Sequence, residues 1–264
     1  MADEATARAW LVEAGFAEGD LRSAIKIDQF TMCPMGWASK NGKLGVCRWL
    51  HENGAAADVT KAMLGGWTPM WLACREGHLS VCEWLFEVGT AADITKAINN
   101  GITLMWIACQ EGQLPVCKWL FEVGAAADIT KANNNGVTPM RAASDENHIP
   151  VQQWLVLKGA LTSDNANGHT DDAIIRRDIP DADQRTALLE WAMELVAAHK
   201  EFKRTFLVGA LSPQKSALLW KLGSLDDATN QHFKQLVADF AGVPYEREVR
   251  NAREAAEELA TMMN

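Results

Sequence analysis

Nowhere in its 264 residues does the chain carry a run of about 18 apolar residues, the length that a helix needs to cross a bilayer. Met1 to Trp10 is acidic and rich in alanine, without the basic-then-apolar order of a secretory leader. A soluble intracellular protein is expected, cytoplasmic or nuclear. A basic face is missing as well. The net charge of −9 argues against a nucleic-acid partner, which would need clustered cations to release counterions from phosphates. No membrane partner is expected either.

The signs of chemistry are equally scarce. There is no Cys-x-x-Cys, and the histidines at 51, 78, 148, 169, 199 and 232 include no pair at metal-ligand spacing. No Gly-rich phosphate loop follows a strand, and no Gly-x-Ser-x-Gly elbow occurs. Cys33 has no neighbouring His and no basic setting, so a buried, inert thiol is expected there. Asp171, Asp172, Asp178, Asp181 and Asp183 cluster in a linker, where helix capping and solvation account for them. No catalytic residue, metal or cofactor is therefore expected, and the chain is not read as an enzyme.

What the chain does contain is a string repeated at a fixed interval. Trp49-Leu50, Trp84-Leu85, Trp119-Leu120 and Trp154-Leu155 follow one another every 35 positions, and a glycine closes each string at Gly54, Gly89, Gly124 and Gly159. A period of that length belongs to stacked arrays, in which each module buries its apolar face against its neighbours. Cys47, Cys82 and Cys117 share one repeat position, and Cys74 and Cys109 another. Equivalent atoms in stacked helical layers lie roughly 8–10 Å apart, beyond the ~7 Å reach of a disulfide. Reduced, buried cysteines acting as small hydrophobes are the expectation.

One unit, residues 66 to 100, shows the local logic. Thr68-Pro69 starts a helix, since Pro at the first turn forfeits no hydrogen bond and Thr can cap. Met70, Leu72, Ala73 and Cys74 form its apolar face, and Gly77-His78 ends it. A second helix carries Leu79, Val81, Cys82, Trp84, Leu85 and Phe86 at a period near 3.6, until Gly89 stops it. Ala91 to Gly101 is rich in turn formers and must project as a finger before the next helix.

Gly66, Thr68-Pro69, Ala73, Gly77-His78-Leu79, Val81, Leu85, Gly89 and Asp93-Ile94 together resemble the ankyrin repeat. The likeness continues through 101–135 and 136–170, where Thr138-Pro139, Ala142-Ala143, His148, Val151 and Leu155 carry it. A weaker unit covers 31–65, through Cys33-Pro34, Ala38, Gly42, Leu44, Val46, Leu50 and Gly54. The resemblance implies an all-α fold: an ankyrin-type helix-turn-helix solenoid of four repeats, followed by a C-terminal helical domain. This sequence departs from the family in having a longer finger. It also has Trp71, Trp106 and Arg141 where the family mostly has His, so aromatic packing is expected to replace that polar link between repeats. The site of the family's asparagine hydroxylation is Thr60, Thr95 and Thr130 here, and that modification is not expected.

Trp10 to Gly15 looks like the second half of one further repeat, 39 positions before Trp49. Residues 1–30 are accordingly read as a capping half-repeat plus an irregular insertion, Phe16 to Phe30. Residues 171–264 read as packed helices. One has an apolar stripe from Leu188 to Phe206, a second begins at Ser212-Pro213, a third spans Asp226 to Phe240, and a fourth spans Pro244 to Met262.

Trp49, Trp84, Trp119 and Trp154 sit among apolar neighbours in the second helices and are expected in the core. Trp67 and its equivalents Ile102 and Val137 either face a partner or lie shielded by the next finger. The resemblance implies a partner protein in a concave groove formed by finger tips and first helices. The matching positions are Leu64, Trp67, Arg75, Glu76, Asn99, Asn100, Ile102, Gln110, Glu111, Asn134, Asn135, Val137, Arg141, Asp145 and Glu146. They differ between repeats while the core positions do not. The expected function is thus non-catalytic protein–protein interaction by a monomeric scaffold. The alternatives are a structural spacer or self-association module, or a recruiting array attached to a helical domain with an activity of its own.

Overall fold

Four threonine-or-cysteine caps set the rhythm of the fold. In the computed structural model, which describes residues 4–18, 20–27, 30–161, 172–210 and 250–256, the Thr68 hydroxyl accepts the Trp71 N–H at 3.2 Å. Thr103 accepts from Trp106 and Thr138 from Arg141, both at 3.1 Å. In the first repeat the Cys33 sulfur takes the same place, accepting the Gly36 N–H at 3.4 Å. Each cap satisfies one of the free N–H groups at a helix start. The inert thiol expected at residue 33 is therefore also a helix cap.

These caps open the first helices of the repeats: α2 (Pro34–Lys40), α4 (Pro69–Glu76), α6 (Leu104–Gln110) and α8 (Pro139–Asp145). The second helices are α3 (Leu44–Leu50), α5 (Leu79–Leu85), α7 (Leu114–Leu120) and α9 (Ile149–Leu157). Gly54, Gly89 and Gly124, at φ of 104°, 139° and 120°, then turn the chain into a short helical stub holding the Asp of each Ala-Asp pair. The finger itself is a tight reverse turn. Met63, Ile98 and Asn133 donate their N–H to the carbonyls of Trp67, Ile102 and Val137 at 2.8, 3.0 and 3.0 Å.

The residues that recur are the ones that are buried. Met35, Leu50, Met70, Leu72, Leu85, Met105, Leu120 and Met140 are among the largest fully enclosed side chains. The residue after each Trp-Leu pair meets the tryptophan of the next repeat edge-on: His51 against Trp84 at 5.7 Å and Phe86 against Trp119 at 5.7 Å between centroids. This geometry suits the ring quadrupoles and explains why the string recurs as a unit. Trp49, Trp84 and Trp154 are buried. Trp119 departs from the expectation, for it is only half-buried.

Polar bonds also cross the repeat boundary. His78 Nε2 lies 2.9 Å from the Lys40 carbonyl oxygen, and Gln113 Nε2 donates to the Arg75 carbonyl at 3.2 Å. Trp106 Nε1 donates to the Val137 carbonyl at 2.8 Å. Aromatic packing therefore does not simply replace the polar link at this position, because an indole supplies an N–H as well as a ring.

Before the first repeat, α1 (Glu4–Glu13) buries Ala7 and Leu11. Trp10 stacks on Trp37 at 6.4 Å, and the Arg8 guanidinium lies 5.2 Å from the centre of the Trp49 ring. The segment read as an irregular insertion is more ordered than its sequence suggests. It forms an antiparallel ribbon, β1 (Ile25–Ile27) with β2 (Phe30–Met32), pairing Ile25 with Met32 and Ile27 with Phe30. Arg22 bonds the buried Asp58 at 3.0 Å, and Lys61 Nζ donates to the Arg22 carbonyl at 3.2 Å. Lys131 reaches the Thr95 carbonyl at 3.5 Å in the same manner. The insertion thus stands where a preceding finger would.

By contacts the chain divides into two units, Met1–Gln152 and Gln153–Asn264. The second contains α10 (Asp172–Asp178) and α11 (Ala182–Ala210), the latter burying Leu188, Leu189 and Ala192. Helical residues 250–256 belong to it too, with Asn251 Nδ2 donating to the Leu157 carbonyl at 2.5 Å. Asp181 caps α11 by accepting the Gln184 N–H at 2.8 Å, as a linker carboxylate should. Asp178 is different, being buried and held by Arg177 at 2.8 Å. The finger expected at Asn165 to Gly168, the helix start at Ser212-Pro213, the helix from Asp226 to Phe240 and most of that from Pro244 to Met262 lie outside the described residues.

Candidate partner-binding face

The fingers and the C-terminal ends of the first helices carry the fifteen positions singled out above, and none of them is buried. Leu64 stands out at 80% exposure, a level that few large apolar residues tolerate without purpose. Glu76, Asn99, Asn100, Asn134, Asn135, Asp145 and Glu146 are exposed, whereas Trp67, Arg75, Ile102, Gln110, Glu111, Val137 and Arg141 are half-buried.

Several of these residues are brought together. The Trp67 and Trp71 rings stack at 5.4 Å with 11° between their planes, and the Arg75 guanidinium lies 5.8 Å from the centre of the Trp71 ring. Arg75 also pairs with Glu111 of the next repeat at 3.2 Å, while Arg141 pairs with Asp145 at 2.6 Å within its own helix. Glu76, Glu111 and Glu146 occupy one repeat position, and of the three Glu111 is the one tied to a cation.

Some positions have structural work that their sequence did not reveal. The Asn134 N–H donates to the Asn100 carbonyl at 3.0 Å, and its Nδ2 donates to the Asn99 carbonyl at 3.3 Å, so consecutive fingers are bonded tip to tip. Asn133, not anticipated at all, accepts from the Asn135 and Val137 N–H groups at 2.9 and 3.0 Å. Only its departure from Met63 and Ile98 at the same repeat position could have marked it. Trp71 was read as packing between repeats. The structure makes it half of an aromatic pair with Trp67.

The thiols follow the sequence reading in burial but not in spacing. All six cysteines are free and buried. Yet Cys74 and Cys82 approach to 3.6 Å between sulfurs, and Cys109 and Cys117 to 3.7 Å. Comparing positions one repeat apart missed this, because the approach is between the two helices of a single repeat. Burial pushes the Cys74 and Cys109 thiols well up, with each one's nearby partner thiol adding to the effect. Cys47 is pushed up to about 12, mainly by burial. Such thiols hold their protons and make poor nucleophiles or ligands. Among the described residues no group of three or more His, Cys, Asp or Glu is placed to hold a metal ion, and no helix is long and apolar enough to cross a membrane.

Capped helix pairs, tip-bonded fingers and a buried repeat core define a helical repeat protein whose variable residues lie on one set of surfaces. The family model for ankyrin repeats, in three copies, matches residues 9–98 and 88–166. The chain belongs to the ankyrin repeat family, whose members are generally non-catalytic protein–protein interaction modules. No curated protein matches it.

Proposed function

We propose that the protein is a non-catalytic scaffold that holds a partner protein in the groove formed by its finger tips and first helices. The observation that supports this best is the contrast within each repeat. Positions that recur every 35 residues are enclosed, such as Leu50, Leu85 and Leu120. Positions that change, such as Leu64, Asn99 and Asn134, are open to solvent. A shaped surface on a uniform frame has that signature, and aromatic residues such as Trp67 are enriched among the side chains that dominate binding.

The test is affinity capture by the intact chain, beside a variant carrying Trp67→Ser, Ile102→Ser and Val137→Ser. Partner capture falls while the helical circular-dichroism signal stays nearly unchanged. Equal capture by both proteins would remove the groove from consideration, and loss of helicity would show these side chains to be core.

A further inference from the structure

Trp71 and Trp106 hold the same place in consecutive repeats, yet their indole N–H groups fare differently. Trp106 Nε1 bonds the Val137 carbonyl at 2.8 Å. Trp71 Nε1 is buried without a hydrogen-bond partner, in a side chain only 4% exposed. The equivalent acceptor would be the Ile102 carbonyl, but the Trp71 ring lies flat against Trp67 instead. Buried donors without acceptors are rare, and each calls for an explanation.

Two further shortfalls adjoin this one. The finger tip beside the pair is the least polar of the three, because Leu64 and Trp67 stand where the other fingers have Asn99 with Ile102 and Asn134 with Val137. On the helix ends, the groove's arginines are already paired, Arg75 with Glu111 and Arg141 with Asp145. Glu76 and Glu146 are exposed and carry no ion pair among the described residues. At roughly 8–10 Å per helical layer, these two carboxylates stand about six extended residues apart along a bound strand.

Resting on the partner-binding reading above, we infer that this face takes an extended peptide segment with an apolar anchor residue flanked by Lys or Arg. The anchor covers Leu64 and Trp67. As Trp67 slides from its stack, a main-chain carbonyl of the segment accepts the Trp71 N–H. The basic residues meet Glu76 and Glu146. The charge follows the same logic as the net −9 of the chain, which favours cationic partners at long range.

A display library of random linear peptides, panned on the full chain, tests this. Enriched peptides carry an aromatic or Leu residue with Lys or Arg on its flanks. Their affinity falls at least ~10-fold on the Leu64→Ser/Trp67→Ser variant and on Glu76→Gln/Glu146→Gln, a surface change that leaves the core intact. The indole N–H resonance lost in Trp71→Phe moves downfield on binding in the unaltered chain. If bound peptides respond to Ile102→Ser/Val137→Ser but are acidic, lack an apolar residue or ignore Leu64→Ser/Trp67→Ser, this inference fails while the groove reading stands. If no peptide is enriched, or none responds to any groove substitution, both fail.

Discussion

The imidazole of His78 rests on Gly42 of the preceding repeat: a Cβ built on that glycine would lie 2.6 Å from His78 Nδ1, while Nε2 donates to the Lys40 carbonyl at 2.9 Å. The glycine is therefore needed twice, for its φ of 66° and for the room it leaves to a ring that ties two repeats together. Gly42→Ala is expected to cost about 2–4 kcal/mol, the left-handed penalty plus overpacking. In a His78→Ala background the ring is gone, and the same substitution should cost only ~1–2 kcal/mol. Denaturant titration of the four proteins measures the difference, and equal costs in both backgrounds would show that the ring is not the obstacle.

The tryptophans of the second helices are not equivalent. Trp84 is 7% exposed and meets His51 edge-on, so Trp84→Ala should cost about 3–5 kcal/mol through the cavity it leaves. Trp119 meets Phe86 in the same way but keeps part of its surface in water, and Trp119→Ala should cost roughly 1–3 kcal/mol, in line with the smaller area lost. Urea unfolding of the two variants ranks them. The reverse order would mean that the ladder, rather than burial, sets the cost.

Periodicity made the frame legible before any coordinates. The Thr-Pro starts, the Gly stops and the Trp-Leu spacing each constrain local structure by themselves, and they agree with one another. The face was legible only as a set of variable, polar positions. That Asn134 would be bonded to Asn99 and Asn100 follows from how one finger lies beside the next, and no spacing within a single repeat encodes it. The same is true of the stack of Trp71 on Trp67, since Trp106 has the same repeat position and a different neighbour. The ribbon at Ile25–Ile27 and Phe30–Met32 was hidden because its strands are only three residues long, too short to show alternation.

Asp128 is buried in the stub after Gly124, and one of its carboxylate oxygens has no partner. Burial raises its pKa, with Lys131 at 3.5 Å opposing the shift. A carboxyl raised in the folded state binds its proton more tightly there than in the unfolded chain. Its contribution therefore favours folding at low pH and is lost as the pH rises through the raised value. Relative to Asp128→Asn, the unaltered protein should gain stability as the pH is lowered from ~7 towards the ordinary carboxylate range near 4. Paired urea titrations across that range give the difference. A flat or opposite trend would mean that Lys131 outweighs burial.

The six thiols give a last test of how tightly the array is closed. All are buried, and burial raises those of Cys33, Cys47, Cys74 and Cys109. A raised thiol offers little thiolate at neutral pH, and a buried one reacts only when the surrounding structure opens. Towards a chromogenic disulfide reagent the native protein should therefore show no rapid phase, with all six thiols reacting at once in denaturant. Cys74→Val or Cys109→Val removes a sulfur that contacts a partner thiol, and should leave the native reaction slow. A rapid native phase of one or two thiols would mean that the helix pair holding Cys74 with Cys82, or Cys109 with Cys117, opens far more readily than its packing implies.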